Sequence, residues 1–134
     1  MSGITGNATS LTWVWSGGTI NLHSLYRSIF DSPSVDLVDQ TVYADTSKSY
    51  LVGKKDGKFS WGGVFQAGGT AILAALAAGN GGTLTWGPEG TAVGKPKTVI
   101  PAIAMGAQRN EPYDGLMEIS CDFQQNGDRT EGVF

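Results

Sequence analysis

The ten residues "LMEISCDFQQ", Leu116–Gln125, constrain the fold more than any other stretch. Met117, Ile119, Cys121 and Phe123 alternate with Glu118, Ser120, Asp122 and Gln124. A period of two marks a strand with one face on a core and the other outside. "SLTWVW", Ser10–Trp15, repeats the pattern, with Leu11, Trp13 and Trp15 on one side. Thr83–Trp86 and Lys97–Gln108 read as further strands, and Pro101 calls for an edge or a bulge in the second. Glycine punctuates these runs at Ser16-Gly17-Gly18, at Gly87-Pro88-Glu89-Gly90 and at Asn126-Gly127-Asp128. Each is a turn signal.

Between the strands the pattern changes. Thr19–Phe30 reads as one long strand with apolar residues on both faces, which implies cover on both sides. Asp31–Lys48 carries Pro33 and several Asp and alternates weakly, so it reads as a long loop. Loops of roughly 18 residues are uncommon unless they have a role. This one keeps Val35, Leu37, Val38, Val42 and Tyr43, an apolar contact face that a solvated linker does not need. "SYLVGKKDGKFSWGGVFQ" then reads as a hairpin: Ser49–Val52, a Gly- and Lys-rich turn, and Gly57–Gln66 with Phe59, Trp61 and Phe65 on one face. A single helix is expected at Ala71–Ala78, N-capped by Thr70 and ended at Gly79-Asn80-Gly81-Gly82. Met1–Asn7 is expected to be a flexible arm and Arg129–Phe134 a short tail. The sum is one domain over residues 1–134, mainly β, a sandwich or barrel with one short flanking helix.

The totals narrow the function. Only 16% of the 134 residues are charged, against about 25% in soluble domains. A low-charge surface suggests that partners cover part of it. The net charge of -3 argues against tight binding to nucleic acid phosphates. One Cys cannot make an internal disulfide. No segment has the pattern of a signal peptide, and no run approaches the roughly 18 apolar residues of a membrane span. A chain made and kept in a cytoplasm, without membrane insertion, is the expectation.

No catalytic constellation assembles in the sequence. The single His23 and single Cys121 fall on strands, and two such ligands do not make a structural zinc site. Asp36, Asp39 and Asp45 lack the spacing and glycine of a calcium loop. "GTAVGKPK" fails as a phosphate loop, since Pro96 stands where Ser or Thr should follow Lys95. Lys54, Lys55 and Lys58 beside Trp61 read as a solvated turn rather than a nucleic-acid site, given the acidic whole. Glu118 and Asp122 are ~13 Å apart along one strand, too far for a glycosidase carboxylate pair. No enzyme activity and no cofactor are expected.

The order of the pieces is informative. "SVDLVDQTVYADTSKSYLVGKKDGKFSWGGVFQ" resembles tail tube (major tail) proteins of long-tailed, siphovirus-like bacteriophages. The matching residues are Asp36, Asp39, Thr41, Asp45, Thr46, Tyr50, Gly53, Asp56, Gly57, Phe59 and Phe65. The helix, the strand and Pro-Glu-Gly turn in "LTWGPEGTAVGKP", and the closing "MEISCDFQQNGDRTEG" follow in the same order. The resemblance covers about residues 19–132; the short termini depart from it by adding no surface domain. It implies hexameric rings of this chain that stack into a tube around a tape measure protein, between a tail terminator and tail tip proteins. Genomic DNA would pass through the lumen without specific contacts. The location implied is the virion tail, assembled in the host bacterial cytoplasm.

Two site expectations follow. The Lys54/Lys55/Lys58 turn contacts Asp36, Asp39 and Asp45 of another protomer or ring. The polar face Glu118, Ser120, Asp122 and Gln124 lines the lumen, where like charge keeps DNA from sticking. The alternatives are a tail terminator or injection-machine tube protein, and a monomeric carbohydrate-binding sandwich stacking sugars on Trp13, Trp15, Trp61 or Trp86.

Overall fold

The computed structural model describes residues 8–23, 26–65 and 69–134. Among these, the chain runs β1 (Ser10–Trp15), β2 (Gly18–Asn21), β3 (Tyr26–Asp39), β4 (Tyr50–Val64), α1 (Thr70–Ala75), β5 (Gly81–Gly87), β6 (Pro96–Asn110), β7 (Glu118–Gln125) and β8 (Thr130–Val133). The strands form one antiparallel sheet in the order β2-β1-β5-β6-β7-β4-β3, with β8 added to β6.

The sheet curls until its halves face each other. Trp13 on β1 meets Phe123 on β7 at 4.8 Å between ring centroids, although β5 and β6 lie between those strands. Phe59 on β4 meets Trp86 on β5 edge-on at 5.5 Å. These rings, with Leu11, Trp61, Leu84, Ile100, Ile119 and Cys121, form the buried core. Each aromatic removes roughly 150–250 Å² from water, on the order of 4–6 kcal/mol at ~25 cal/mol/Å². The alternation of β1 and β7 is therefore real: inward residues are buried, and Glu118 and Asp122 are exposed.

α1 closes one end of this core with Ile72, Ala75 and Leu76. Its C-terminal carbonyls find side-chain donors. Trp13 Nε1 donates to Ala75 O at 2.9 Å, and Asn80 Nδ2 donates to Ala74 O at 2.9 Å. The N-cap is Gly69 rather than Thr70, and no side chain caps it. The helix is shorter than the run of helix formers, because Leu76 already turns out of helical geometry to bury its side chain.

Several boundaries differ from the sequence reading. The expected long strand Thr19–Phe30 breaks after Asn21. Leu22 turns into the core, donating its N–H to Leu11 O and accepting from Trp61 Nε1 at 3.2 Å. Asp31–Lys48 is not one loop. Its first half continues β3 to Asp39, and only Gln40–Ser49 connects β3 to β4. The Gly-Lys turn is not a turn. Gly53–Gly57 lies within β4 and pairs with β3, with an extra residue on β4 between the rungs Val35↔Lys55 and Leu37↔Val52. The tail Arg129–Phe134 contains β8, which pairs with the start of β6. The Met1–Asn7 arm and Gln66 lie outside the described residues.

Pro101 sits in mid-sheet. β6 pairs with β8 over Pro96–Val99 and with β7 over Ala102–Asn110, so Pro101 falls in the gap. Its carbonyl accepts from Asn126 N at 2.8 Å on that side. The N and C=O of one strand residue point the same way, so its missing N–H also faces the gap. The bulge of β6 comes later, at Met105–Gly106, where Gly106 takes φ +102. Only glycine adopts that angle without cost.

Candidate functional site

The last rung joining β4 to β7 is Lys58↔Gln124. Beyond it β3 and β4 continue alone as a two-stranded arm, Pro33–Asp39 against Tyr50–Gly57. Residues paired across an antiparallel rung share a face. Ile29↔Trp61 and Asp31↔Phe59 face the core, so Val35, Leu37, Asp39, Tyr50, Val52 and Lys55 continue that core-side face outward. Among the described residues, no other strand pairs with the arm there. Leu37 is 56% exposed and Val52 63%. The opposite face carries Val38 and Leu51, also exposed. An isolated ribbon of this kind is marginally stable in water, and an apolar one invites a partner.

The arm's tip is ordered by its own polar groups. Thr41 N donates to Asp39 Oδ1 at 2.8 Å and Val42 N to Asp45 Oδ2 at 3.0 Å. Ser49 N donates to Thr41 Oγ1 at 2.8 Å, and Gln40 Nε2 to Ser49 Oγ at 2.9 Å. Hydrogen bonding by the Thr41 side chain and backbone holds the Asp39 carboxyl below its usual range. Tyr43 stands at the tip with its whole side chain exposed.

The expected contact residues Asp36, Asp39, Asp45, Lys54, Lys55 and Lys58 all fall on this arm or at its root. Asp36 lies across from the Gly53–Lys54 bulge, where Gly53 leaves room for its backbone. None of the six forms an ion pair among the described residues. At the root, a cleft of about 730 Å³ opens between Lys54 and Lys55 on one side and Gln125 and Arg129 on the other. Sequence reasoning noticed the apolar residues of Asp31–Lys48 but missed that strand pairing puts Leu37 and Val52 on a continued core face.

Glu118, Ser120, Asp122 and Gln124 form the outer face of β7, flanked by β4 and β6. Each charged or amide group there is held by a neighbour. Arg27 Nη1 pairs with Glu118 Oε1 at 3.1 Å, Ser60 Oγ donates to Asp122 Oδ1 at 2.8 Å, and Gln124 Nε2 donates to Asp56 Oδ1 at 2.6 Å. The Arg27–Glu118 pair is half exposed and worth at most ~1 kcal/mol. The face is polar, and a cleft of about 570 Å³ opens on it between Arg27, Arg109, Glu118 and Ser120.

The residues weighed for other chemistry are dispersed. His23 Nδ1 lies 3.1 Å from Leu11 O, tied to the backbone. Burial pushes the Cys121 thiol up to about 11. Among the described residues, no three His, Cys, Asp or Glu side chains converge as metal ligands. The four tryptophans make no sugar platform. Trp13 and Trp61 are buried with their N–H groups bonded to Ala75 O and Leu22 O, and Trp15 and Trp86 pack against the core.

No family model matches the sequence, and no curated protein sequence matches it. Solved structures do match. A chain from the tail of an empty gene transfer agent particle, refined with C6 symmetry, superimposes with a TM-score of 0.75 at 13% identity, covering 98% of this chain and all of that one. The chain has a tail-tube fold. The tail tube of SPP1 agrees at a TM-score of 0.65 and 12% identity, over 98% of this chain and 80% of that one. A chain of the extended sheath-tube complex of an extracellular contractile injection system agrees at 0.69 and 10%, over 98% and 93%. The resemblance stated from the sequence therefore holds at the level of fold, and the fold's solved examples are parts of tails and tubes.

Proposed function

We propose that this chain is a structural tube protein of a phage-like particle, assembling with copies of itself into rings that stack into a tail tube. One observation carries the reading: the core-side face of the β3–β4 arm leaves the body uncovered, with Val35, Leu37, Tyr50 and Val52 in place of a polar surface. A second copy of the chain is its cover. The arm projects from one end of the sheet, and where it lies on a different surface of the next copy the contact is heterologous, which generates rings or open filaments. The C6 symmetry of the matching gene transfer agent tail supports rings of six.

Within that assembly, Asp39 and Asp45 at one copy's tip meet Lys54 and Lys55 in another copy's root cleft, whose lining also holds Arg129, Asp56 and Asp128. The lumen is lined by Glu118, Ser120, Asp122 and Gln124, whose polar groups are already held by neighbours and so offer passing DNA few free partners. The tape measure protein occupies the lumen before DNA, and terminator and tip proteins close the ends. Assembly takes place in the bacterial cytoplasm, and the finished chain resides in the virion tail. The match to a chain of a contractile injection sheath-tube complex supports that setting as the second reading, and the copy number per particle separates tube from terminator.

Negative-stain electron microscopy of the purified chain across a concentration series tests the reading. Rings or tubes with a six-fold end view are expected. Monomers at every concentration, and also in the presence of an initiating tail tip complex, overturn it.

A further inference from the structure

The arm root is tied to the body twice: Gln124 Nε2 on β7 donates to Asp56 Oδ1 at 2.6 Å and to Gly57 O at 3.2 Å, and Arg129 makes the second tie. Arg129, in the connection between β7 and β8, reaches across to Asp31 on β3. Nη1 donates to Asp31 Oδ2 at 2.7 Å and Nη2 to Oδ1 at 2.9 Å, a planar fork. Arg129 Nε donates to Gln125 Oε1 at 3.1 Å. The Arg129 and Asp31 side chains are only 14% and 13% exposed, unlike the half-exposed Arg27–Glu118 pair. Their backbones belong to different elements, and Asp31 lies one rung inside the point where the arm leaves the body. Arg129 adjoins β8, which is bonded to β6, whereas Asp31 sits at the rung Asp31↔Phe59, next to the point where the arm loses β7.

Gly57 makes the room. A Cβ there would stand 2.8 Å from Gln125 Oε1, 3.2 Å from Arg129 Nη2 and 3.2 Å from Pro33 Cα. The core-side face of β4 is thus emptied at the rung where the guanidinium lies. Two-stranded ribbons twist and bend more freely than wide sheets. A bidentate Arg–carboxylate pair fixes direction as well as distance, because both hydrogen bonds must stay in one plane.

We propose that Arg129 is a positioning residue: gripping Asp31 in the space left by Gly57, it sets the angle at which the β3–β4 arm leaves the body. The fork is the bracket and Gln125 is its brace. The consequence for tube assembly rests on the reading above, since a wandering arm presents its uncovered face in the wrong direction.

The experiment measures the angle directly. Spin labels at Val42→Cys on the tip and Val14→Cys on the body give a distance distribution for the dissociated chain; both sites are exposed and native Cys121 is buried. A single narrow distance is expected in the parent. Arg129→Lys keeps the charge and loses the fork; Gly57→Ala keeps the fork's residues and crowds them. Each is expected to broaden the distribution at least twofold, with Arg129→Lys combined with Asp31→Asn no broader than Arg129→Lys alone. Gly57→Ala stands in if Arg129→Lys fails to fold. A purely structural pair would lower the melting temperature and leave the distance narrow, and that result overturns the proposal. A broadened distance with unchanged assembly would leave the bracket standing and remove the arm from the assembly contact.

Discussion

Replacing Leu37 and Val52 together with Thr tests whether the arm's core-side face is an interface. The two residues form one rung, Leu37↔Val52, so they lie side by side on that face. Full burial of such a side chain is worth roughly 1.5–3 kcal/mol. At 56% and 63% exposure each still has on the order of 1 kcal/mol to gain when covered. The pair therefore contributes about 2 kcal/mol to each arm contact, or roughly 30-fold in its association constant at ~1.4 kcal/mol per tenfold. Threonine is β-branched, as strands favour, and exposed substitutions change stability by only about 0.5 kcal/mol. The folded chain should then melt within a few degrees of its parent. The assay is the concentration at which light scattering and sedimentation report assembly, with Val93→Thr, exposed and off the arm, as control. The variant should need at least tenfold more protein to assemble. An unchanged assembly concentration, with the melting temperature also unchanged, would refute the argument that this face is covered by a second copy.

Reversing Lys54 and Lys55 to Glu should block assembly and make the residual association less salt-sensitive; intact assembly would show that the root cleft receives no acidic tip. Changing Glu118 and Asp122 to Lys should slow DNA ejection from particles, measured by dye release, and normal ejection would mean that this face points away from the lumen. Cys121 gives a pH test. Burial raises its pKa from 9.0 to about 11, so the unfolded chain loses that proton first and binds fewer protons between those values. The parent's denaturant midpoint should therefore fall relative to Cys121→Ala as pH rises from about 9 to about 11, and parallel curves would contradict it.

β7 was legible because everything about it agrees. It is paired on both sides and buried on one face, so alternation survived selection for burial in every inward residue from Ile119 to Phe123. The arm was misread for a physical reason. A two-stranded ribbon outside the body has no covered face, so burial imposes no alternation on it. Pro33 is tolerated because β3 is the outermost strand, where a missing donor disrupts no second ladder. Gly53 and Gly57 look like turn glycines. One accommodates a bulge opposite Asp36, and the other opens space for Arg129. No local pattern reports a reason that lies 72 positions away in the chain. The lysines were expected on a turn and lie instead on a strand. Their strand location puts them on the same arm as the acids they were expected to meet, yet none of them pairs with those acids among the described residues.

The hydrogen-bonded tip has a thermodynamic consequence. Ordering a backbone residue costs roughly 1–2 kcal/mol of entropy, and flexible loops meet that cost at the moment of contact. Here Asp39, Thr41, Asp45 and Ser49 have already fixed the chain on both sides of Tyr43 during folding. A neighbour that receives the tip therefore orders little more than one tyrosine side chain. Association can be fast and repeated without each new copy having to fold its own contact.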